Sequence, residues 1–497
     1  MQEIKNNQLD LNDEDRIYSI RKNAKDPVML ALYLLQDNAS IISCQGTPYI
    51  YNGKCYDFID DKALDAMYLS FTIRYGITMA FKMIGIVLRA FAVYPDITRI
   101  EKMNDYPNLL CLNNGILNIH TKEFFPHSSA YYFDSAINVD YDPEALQSPN
   151  FVAFLNHTFN DEQDTIANII RIGGYLLDPS NAAHKMFMFN GPGGSGKSTL
   201  LDVFSLFFVE SMIPSKNQIT SLSLEEISSK TFDSTCLLTS RLNLCAETKR
   251  GHLEADEIKK IVSGDIVTIK RKYLEPVNFR PKLKIIVACN GLPTFKDTSE
   301  GIYRRLVVIE FTNQYKTDYD YSRVTQPELK GIYRQDPTLK AKLFEERSAI
   351  LNLFIGGLID LKNNNYQFSL SVSSQNALDV LRRESDSCRE FLESNYEIDS
   401  KSEVTLKELY NDFRIWYRQN VQDHGAIKLR TAEMAKRIKE TFGINPSGRK
   451  QVLNNETNRY EKLSTYSLRN INDVLSEDER VDEQIKAMLW VWTKKCF

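Results

Sequence analysis

The sequence predicts an α/β protein in which a parallel sheet lies between helices, with a mixed α+β domain before it and a winged helix after it. Between residues 184 and 315 short apolar strands alternate with helices, which is typical of a parallel α/β layer. Residues 385–470 contain three short helical patterns followed by a basic hairpin, which is a winged-helix pattern. A chain of 497 residues is long for one hydrophobic core, so several domains are expected.

Composition and charge exclude several classes of protein. Hydrophobic residues make up 43% of the chain and charged residues 25%, which is ordinary for a globular protein. The formal net charge of −4 argues against a protein that coats nucleic acid indiscriminately, so any contact with polyanions must come from local basic patches. The eight cysteines include no Cys-x-x-Cys pair, which disfavours a zinc ribbon or a disulfide framework and indicates a reducing, cytoplasmic compartment.

Two apolar features bear on membrane targeting. The stretch "MQEIKNNQLDLNDED" at the N-terminus has no apolar core, so it is not a signal peptide. The best membrane candidate is "GITMAFKMIGIVLRAFAVYP" (76–95), but Lys82 and Arg89 interrupt it, and a charge near a bilayer centre costs about 3 kcal/mol. A buried helix is the preferred interpretation, and no membrane contact is expected.

The first 183 residues predict two scaffold regions. Residues 1–108 form an N-terminal mixed α/β domain, in which Asn52-Gly53 between aromatic runs is a strong hairpin signal. Residues 109–183 form a leader or collar region, in which Asn114-Gly115 repeats that signal and residues 151–180 have helical spacing. These signals predict turns and helices and carry no chemistry of their own.

The stretch "GPGGSGKST" (191–199) is the strongest functional signal. It fits G-x-x-x-x-G-K-[ST], in which glycines let backbone N–H groups converge on phosphates. Lys197 is expected to reach the β- and γ-phosphates of ATP, and the Ser198 hydroxyl to hold Mg²⁺. "KMFMF" before the loop predicts a strand, and Thr199 begins a predicted helix whose positive end faces the anion. The predicted nucleotide-binding residues are Gly191, Gly193, Gly194, Ser195, Gly196, Lys197, Ser198 and Thr199.

Side chains at the ends of later strands complete the predicted catalytic set of a P-loop ATPase core over residues 184–320. The strand "LNLCA" brings Glu247 to its carboxyl end, where the carboxylate polarises the attacking water or holds the metal's water shell. The strand "IIVAC" is followed by Asn290, whose amide can orient that water against the γ-phosphate. Arg304 and Arg305 precede a fifth strand, "LVVIEF". In a ring, one of them can reach a neighbour's γ-phosphate, which is worth about 10³–10⁵ in rate.

A basic hairpin is inserted between two of these core strands. The stretch "EIKKIVSGDIVTIKRKYLEPVNFRP" (257–281) predicts a helix that ends at Gly264 and two strands around the turn at 274–276. The residues expected near the tip are Lys270, Arg271, Lys272 and Tyr273. In the channel of a ring, cations at the tip grip a phosphate backbone and an aromatic ring stacks on a sugar or base. Without that context, a solvated charge run is an equally good interpretation.

The C-terminal third predicts three further regions. A helical extension covers residues 321–384, the winged helix residues 385–470, and an acidic tail residues 471–497. The winged helix carries basic residues that could contact origin DNA, namely Lys436, Arg437, Lys439, Arg449, Lys450, Arg459 and Lys462. The alternative is that it packs against other domains. The tail either binds a partner or folds back on a basic face.

The series "GPGGSGKST", "LNLCAET", "SGDIVTIKRKY", "KIIVACNGLP" and "IYRRLVVIEF" resembles the superfamily 3 helicases of the AAA+ class. It is most similar to primase-helicases of satellite phages, plasmids and genomic islands, and to the poxvirus primase-helicase. The resemblance is strong over residues 184–312, and residues 109–183 resemble the leader domain of these helicases. It implies a homo-oligomeric, hexameric ring that translocates on single-stranded DNA, usually 3′ to 5′, with ATP and Mg²⁺ as cofactors.

The resemblance also implies a role for each matched residue. Lys197 and Ser198 match the phosphate and Mg²⁺ ligands, and Glu247 matches the acidic strand end. Asn290 matches the polar sensor, and Lys272 with Tyr273 matches the channel loop. The arginine that acts on a neighbouring subunit is matched by Arg305 or its neighbour Arg304.

Two departures from the family pattern change the expectations. "CAET" holds one carboxylate rather than a pair, so Glu247 serves metal, water or both. Residues 1–105 contain no convincing paired-acid metal motif, and "DFIDD" (57–61) is a poor candidate. We therefore expect a helicase without its own primase site, with a separate primase as a candidate partner.

Several functions compete with a replicative DNA helicase of a virus or mobile element. A GTPase is disfavoured because no Asn-Lys-x-Asp motif follows the loop, and a transporter ATPase because no Leu-Ser-Gly-Gly-Gln signature is present. Two alternatives stay open. One is an origin-binding initiator whose ATPase drives assembly or melting on double-stranded DNA. The other is an RNA helicase, because grip on a backbone is nearly indifferent to the sugar. The main expected partners are single-stranded and forked DNA.

Overall fold

The structure is a computed structural model that describes residues 13–37, 40–59, 61–77, 97–210, 217–245, 252–269, 276–295, 300–420, 431–454 and 459–470. The chain divides into two compact units, Met1–Leu378 and Asp379–Phe497. The first unit contains a parallel sheet between helices, so the predicted α/β layer is confirmed. No helix in these ranges is long and apolar enough to cross a membrane.

The amino-terminal part of the first unit is a four-stranded sheet with three helices. In chain order its elements are α1 (Asp13–Lys22), α2 (Pro27–Asp37), β1 (Ile41–Cys44), β2 (Thr47–Tyr51), β3 (Tyr56–Phe58), α3 (Asp61–Tyr75) and β4 (Thr98–Ile100). The predicted hairpin at Asn52-Gly53 is confirmed, because β2 and β3 pair antiparallel and Gly53 has a φ of +98°. Of the predicted buried helix, residues 78–95 lie outside the described residues.

The leader region contains a second hairpin and two helices. Its elements are β5 (Leu109–Leu112), β6 (Gly115–Asn118), β7 (Phe124–Phe125), α4 (Pro149–Thr158) and α5 (Gln163–Leu177). The hairpin is present, but Leu112 pairs with Gly115, so the turn is Asn113-Asn114 rather than Asn114-Gly115. Gly115 starts β6, where a Cβ would lie 2.7 Å from the Phe125 carbonyl oxygen.

A five-stranded parallel sheet forms the centre of the first unit, in the order β16-β8-β14-β10-β9. The elements of this region are β8 (Met186–Asn190), α6 (Lys197–Ser205), β9 (Ile219–Thr220), α7 (Leu224–Ser229), a 3₁₀ turn (Ser234–Leu238), β10 (Leu242–Cys245), β11 (His252–Leu253), α8 (Asp256–Ser263), β12 (Val267–Ile269), β13 (Val277–Phe279), β14 (Lys284–Cys289), β15 (Thr294–Phe295), α9 (Glu300–Tyr303) and β16 (Leu306–Glu310). After β8 the chain crosses to the far edge and returns on both sides of β8. Ligands bind at the carboxyl ends of the strands at such a reversal.

Further helices and two short strands follow the sheet in the chain. They are β17 (Gln314–Lys316), α10 (Asp318–Tyr321), a 3₁₀ turn (Glu328–Lys330), β18 (Ile332–Arg334), α11 (Leu339–Glu345), α12 (Arg347–Asn363) and α13 (Val372–Ser385). Phe187 and Phe189 of β8 share a buried cluster with Phe354 of α12. α5 and α12 approach closely, because a Cβ on Gly174 would lie only 2.3 Å from the Leu358 backbone nitrogen.

The second unit has the elements predicted for a winged helix. They are α14 (Ser387–Asn395), β19 (Tyr396–Ile398), β20 (Val404–Thr405), α15 (Leu406–Asn420), α16 (Thr431–Phe442), β21 (Gly448–Asn454), β22 (Arg459–Tyr466) and β23 (Leu468–Asn470). β21 and β22 pair antiparallel up to Asn454 opposite Arg459. Phe391, Phe413 and Ile438 belong to a core of its own beneath the hairpin.

Candidate nucleotide-binding site

The loop of residues 191–196 joins β8 to α6 at the carboxyl edge of the sheet. Gly191, Gly194 and Gly196 have φ values of +153°, +73° and +94°, which side chains disfavour. A Cβ on Gly191 would lie 2.2 Å from the Phe311 carbonyl oxygen, so a side chain cannot fit there. The helix begins at Lys197, two residues before the predicted start at Thr199, so the first free N–H groups of α6 belong to the loop motif itself.

Lys197 is buried inside the loop that precedes it. Its Nζ donates to the carbonyl oxygens of Gly191 at 2.6 Å and Pro192 at 2.7 Å, and to Ser195 Oγ at 3.2 Å. The side chain is 8% exposed, and burial lowers the pKa of Lys197. These acceptors are all uncharged, whereas a buried cation is best stabilised by an opposite charge. The loop is therefore suited to an anionic ligand.

Asn290 contacts Lys197. It follows the fully buried strand β14, and its Oδ1 accepts a hydrogen bond from Lys197 Nζ at 3.2 Å. β14 is the neighbour of β8 in the sheet, so the two carboxyl ends lie side by side. Ser198 is exposed at the start of α6, next to Lys197. Ser198 can therefore offer its hydroxyl to a metal bound beside the loop.

Glu247 lies outside the described residues, but the strand that leads to it is placed. β10 ends at Cys245 and pairs with β14, so the chain reaches Glu247 from the edge of the sheet that carries Asn290. Cys245 and Cys289 are buried in their strands. Among the described residues, no group of three or more His, Cys, Asp or Glu side chains could hold a metal ion.

Asn190 and Glu310 form a polar pair that the sequence analysis did not single out. They are opposite each other on β8 and β16, and Asn190 Nδ2 donates to both carboxylate oxygens of Glu310 at 3.0 and 3.2 Å. Burial raises the pKa of Glu310. The signal that could have found the pair is the one used for Asn290, a polar residue that ends an apolar strand.

Tyr315 was also missed, and it contacts the loop directly. Its backbone N–H donates to the Gly194 carbonyl oxygen at 2.6 Å. Its hydroxyl lies 2.8 Å from His157 Nδ1 and 3.0 Å from Thr158 Oγ1. The loop is thus held between α4 and β17. Nothing in the sequence indicated this contact, because His157 and Tyr315 are 158 positions apart.

Arg304 and Arg305 lie at the amino ends of the sheet strands, whereas the loop lies at their carboxyl ends. The Met186 N–H donates to the Arg305 carbonyl oxygen, which places both arginines at the amino end of β8. The five residues of β8, at about 3.3 Å each, therefore separate them from their own phosphate loop. Arg305 Nε and Nη2 donate to Ser263 Oγ at 2.9 and 2.8 Å, whereas Arg304 is exposed.

The structure describes the base of the predicted basic hairpin. α8 ends at Ser263, Gly264 follows with a φ of +65°, and β12 pairs antiparallel with β13 up to Ile269 opposite Val277. In chain order the hairpin lies between β10 and β14. The tip, with Lys270, Arg271, Lys272 and Tyr273, lies outside the described residues.

The basic residues predicted to contact duplex DNA have different surroundings. Lys436 and Lys439 on α16 are exposed, as are Arg449 and Lys450 on β21. Arg437 instead pairs with Asp386 at 3.2 Å and with Glu440 at 2.7 Å, which ties α16 to the start of α14. The side chains of Arg459 and Lys462 lie outside the described set.

Two sequence families match parts of the chain. One described as "D5 N terminal like" matches residues 82–160, and one described as a "Family of unknown function (DUF5906)" matches residues 189–305. The second match begins in β8, covers the phosphate loop and Asn290, and ends at Arg305. The two matches together therefore take in most of the leader region and the core of the sheet.

Relatives of the chain occur in large DNA viruses. The "Putative helicase L207/L206" of Acanthamoeba polyphaga mimivirus is 23% identical over 294 residues, which is 57% of this chain and 30% of that protein. The "Putative helicase 121R" of Invertebrate iridescent virus 3 is 22% identical over 64% of this chain and 36% of that protein. The "Putative primase C962R" of African swine fever virus is 21% identical over 69% and 37%. The chain spans about a third of the length of these relatives.

Among solved structures, the apo C-terminal region (305–718) of NrS-1 matches with a TM-score of 0.46 at 11% identity, over 90% of this chain and 100% of that one. The relationship of the chain to viral proteins rests on the sequence matches and not on this structural likeness. The chain is related to putative viral helicases and to a putative viral primase, so the resemblance to primase-helicases that its motifs predict is confirmed.

Proposed function

We propose that the chain is an ATP-dependent replicative DNA helicase, which hydrolyses ATP with Mg²⁺ at the loop of residues 191–198 and translocates on one DNA strand as a ring. One observation carries the nucleotide site. Lys197 holds a buried ammonium group at the point where β8, α6 and Asn290 meet, and its hydrogen-bond acceptors among the described residues are all neutral. A triphosphate supplies negative charge to this ammonium group.

Each residue of the site has a distinct task in this proposal. The N–H groups of the loop and the Lys197 ammonium bind the phosphates, and the exposed Ser198 hydroxyl holds the metal. Glu247 activates the attacking water or orients the metal's water shell, and Asn290 positions that water. When bound, Mg²⁺ neutralises the charge that develops on the transferred phosphoryl group. The Lys197 ammonium group suits the phosphates of ATP, and the Ser198 hydroxyl suits the Mg²⁺ that accompanies them.

The placement of the two arginines supports a ring. Both lie at the edge of the sheet opposite their own loop, so a catalytic contact with a γ-phosphate requires a second subunit. Arg305 already donates to Ser263 and to the Gly301 carbonyl oxygen. We therefore favour the exposed Arg304 as the arginine that acts on the neighbour, with Arg305 supporting it. A hexamer and 3′ to 5′ movement follow from the family resemblance.

The DNA grip is proposed for the hairpin tip. The base of the hairpin, β12 and β13, is held beside α8 and leaves six residues (270–275) for the tip. Lys270, Arg271 and Lys272 would bind the phosphates of a single strand, and Tyr273 would stack on a base or sugar. A separate primase remains a proposed partner, and the cytoplasm the proposed site of action.

Steady-state ATP hydrolysis with and without nucleic acid tests this function. Wild type should hydrolyse ATP with Mg²⁺, faster with single-stranded DNA than with single-stranded RNA of the same sequence. Lys197→Ala should abolish hydrolysis, because the contact with the β- and γ-phosphates is lost. A protein that hydrolyses no ATP under either condition would contradict the proposal, and stronger stimulation by RNA would favour the RNA helicase.

An origin-binding initiator is the second candidate, and the second unit supports it. Four cationic side chains, Lys436, Lys439, Arg449 and Lys450, are exposed on a helix and a hairpin that share one core. Arg449→Ala with Lys450→Ala should weaken binding to duplex DNA and lower the slope of its salt dependence by about one per lost phosphate contact. Unwinding of a fork should survive. Loss of both activities together would contradict two separable modules.

A further inference from the structure

Three aromatic side chains border the phosphate loop and are not explained by phosphate binding. They are His157 at the end of α4, Tyr315 on β17 and Tyr333 on β18, and we call them the aromatic clamp. The His157 ring lies edge-on to Tyr333 with centroids 4.3 Å apart, and 5.6 Å from the centroid of Tyr315. Tyr315 and Tyr333 are 6.3 Å apart. The three rings thus form one continuous aromatic surface.

The backbone fixes the clamp in place. β17 and β18 run parallel with Tyr315 opposite Tyr333, so the two rings project on the same face of the pair. Asn313 Nδ2 donates to the His157 carbonyl oxygen at 2.7 Å, and the Tyr315 hydroxyl contacts His157 Nδ1. The Asn313 bond joins the strand pair to α4 independently of the rings, and the Tyr315 hydroxyl joins two of the rings to each other. The clamp is therefore formed before any ligand arrives.

The clamp touches the loop at its tip. The Tyr315 N–H donates to the Gly194 carbonyl oxygen at 2.6 Å, and Gln314 Nε2 donates to that of Gly193 at 3.4 Å. A Cβ on Gly196 would lie 3.6 Å from Tyr315 Cε2. The loop offers a bound nucleotide backbone N–H groups and one ammonium, which suit phosphates alone. Aromatic rings that a base can contact lie beside the loop, on His157, which is exposed, and on Tyr333, which is half-buried.

We propose that the aromatic clamp is the nucleobase subsite of the loop, where a purine base stacks on the Tyr333 ring and contacts the His157 ring, which stands edge-on to it. Tyr315 acts as a positioning residue, because it binds Gly194 and fixes the positions of the other two rings. The inference rests on the proposed nucleotide site. Every base has a π-face, and the Tyr315 hydroxyl is already engaged with α4. The site therefore selects purines over pyrimidines by stacking area and accepts ATP and GTP with similar affinity.

Competition binding with two probes tests the subsite, with ATP and inorganic tripolyphosphate each measured with Mg²⁺. Tyr333→Ala should weaken ATP binding by roughly ten- to hundredfold, which is the loss expected for one aromatic–base stack. Binding of tripolyphosphate should not change, because it has no base. Tyr333→Phe should bind ATP within about twofold of wild type, because the ring remains. Tyr319→Ala is the matched control, since that ring is 63% exposed and lies outside the clamp.

Two results with Tyr333→Ala would contradict the proposed nucleobase subsite. If Tyr333→Ala binds ATP as wild type does, no base lies there. If ATP and tripolyphosphate weaken by the same factor, Tyr333 only supports the loop. Failure of the nucleotide site itself looks different, because wild type would then bind neither probe, and Lys197→Ala would match wild type with both. Discrimination of more than tenfold between ATP and GTP would contradict recognition by stacking alone.

Discussion

Lys197 Nζ donates a hydrogen bond of 3.2 Å to Asn290 Oδ1, although 93 positions separate the two residues in the chain. The contact exists because β8 and β14 are neighbours in a parallel sheet, so the residues that follow them meet at one edge. A phosphate that binds the Lys197 ammonium competes with this bond. In the proposed function, nucleotide binding thereby frees Asn290 Oδ1 to orient the attacking water.

Asn290→Ala should slow hydrolysis without weakening nucleotide binding. Removal of one preorganised polar group from a transition state costs about 10²–10³ in kcat. Single-turnover hydrolysis and direct ATP binding measure the two quantities separately. Asn290→Asp is the matched variant, and it should weaken ATP binding because its carboxylate competes for Lys197. A raised KM with an unchanged kcat for Asn290→Ala would contradict the role.

Arg304→Ala should impair ATP turnover, whereas Arg305→Ala should mainly lower stability. Arg304→Ala should bind ATP but lose turnover, and mixed rings should be poisoned by the mutant subunits, since the residue acts on a neighbour. Arg305→Ala should lower the free energy of unfolding by about 1–3 kcal/mol, because its hydrogen bonds to Ser263 and Gly301 are lost.

Ser263→Ala is the control for this pair, because it removes the acceptor of two Arg305 hydrogen bonds without a change of charge. It should reproduce part of the stability loss of Arg305→Ala, since the bond to Gly301 remains, and it should leave mixed rings active. If Arg305→Ala poisons mixed rings and Arg304→Ala does not, the two arginines exchange roles.

Asp134→Asn should strongly destabilise the first unit. Asp134 is buried between Arg241 Nη2 and Lys282 Nζ, each at 2.7 Å. Burial alone would raise the pKa of Asp134, but these two cations hold it well below its usual range. The variant leaves two buried cations without a counter-charge, at a cost of about 3–5 kcal/mol. Urea unfolding measures it.

The pH dependence gives a second readout for this cluster. Because the folded pKa of Asp134 is lowered, its stabilisation is present above about pH 4 and is lost as the pH falls further. Asp140→Asn is the control, since Asp140 is exposed, and it should cost less than about 1 kcal/mol. Equal losses for the two variants would contradict a buried ion cluster.

Lys284 should make stability rise with pH. It is buried at the start of β14, its Nζ donates to Asn181 Oδ1 at 2.7 Å, and burial lowers the pKa of Lys284 to about 7. Between pH 7 and 9 the unfolded chain therefore binds more protons at this residue than the folded chain does. The stability of wild type relative to Lys284→Met should rise by up to about 1.4 kcal/mol per pH unit. A difference that does not vary with pH would show that Lys284 stays charged when folded.

Local pattern was sufficient for the elements and for part of the site. The strand, loop and helix around Lys197 and the strand that ends at Asn290 are encoded within short windows of sequence, so they could be predicted. The turn of the second hairpin was predicted one residue too late, because Asn114-Gly115 is a stronger turn signal than the observed Asn113-Asn114. Burial of both faces of the hairpin, at Leu110 and Cys111, fixes the register instead.

Contacts between distant segments could not be predicted. Tyr315 against Gly194, Asn190 with Glu310, and Asp134 with Arg241 depend on which strands are neighbours in the sheet and on which loop covers them. Apart from Gly194, none of these residues belongs to a short motif. Polar strand ends were a usable signal for Glu310, whereas the aromatic residues of β17 and β18 resemble any surface segment.

Strand displacement on a forked DNA with ATP tests the central claim most directly, with wild type measured beside Lys197→Ala and Lys272→Ala. A DNA motor predicts displacement by wild type and none by either variant, with basal ATP hydrolysis kept by Lys272→Ala and lost by Lys197→Ala. Hydrolysis of ATP by wild type without displacement of the strand would contradict the helicase and favour the origin-binding initiator.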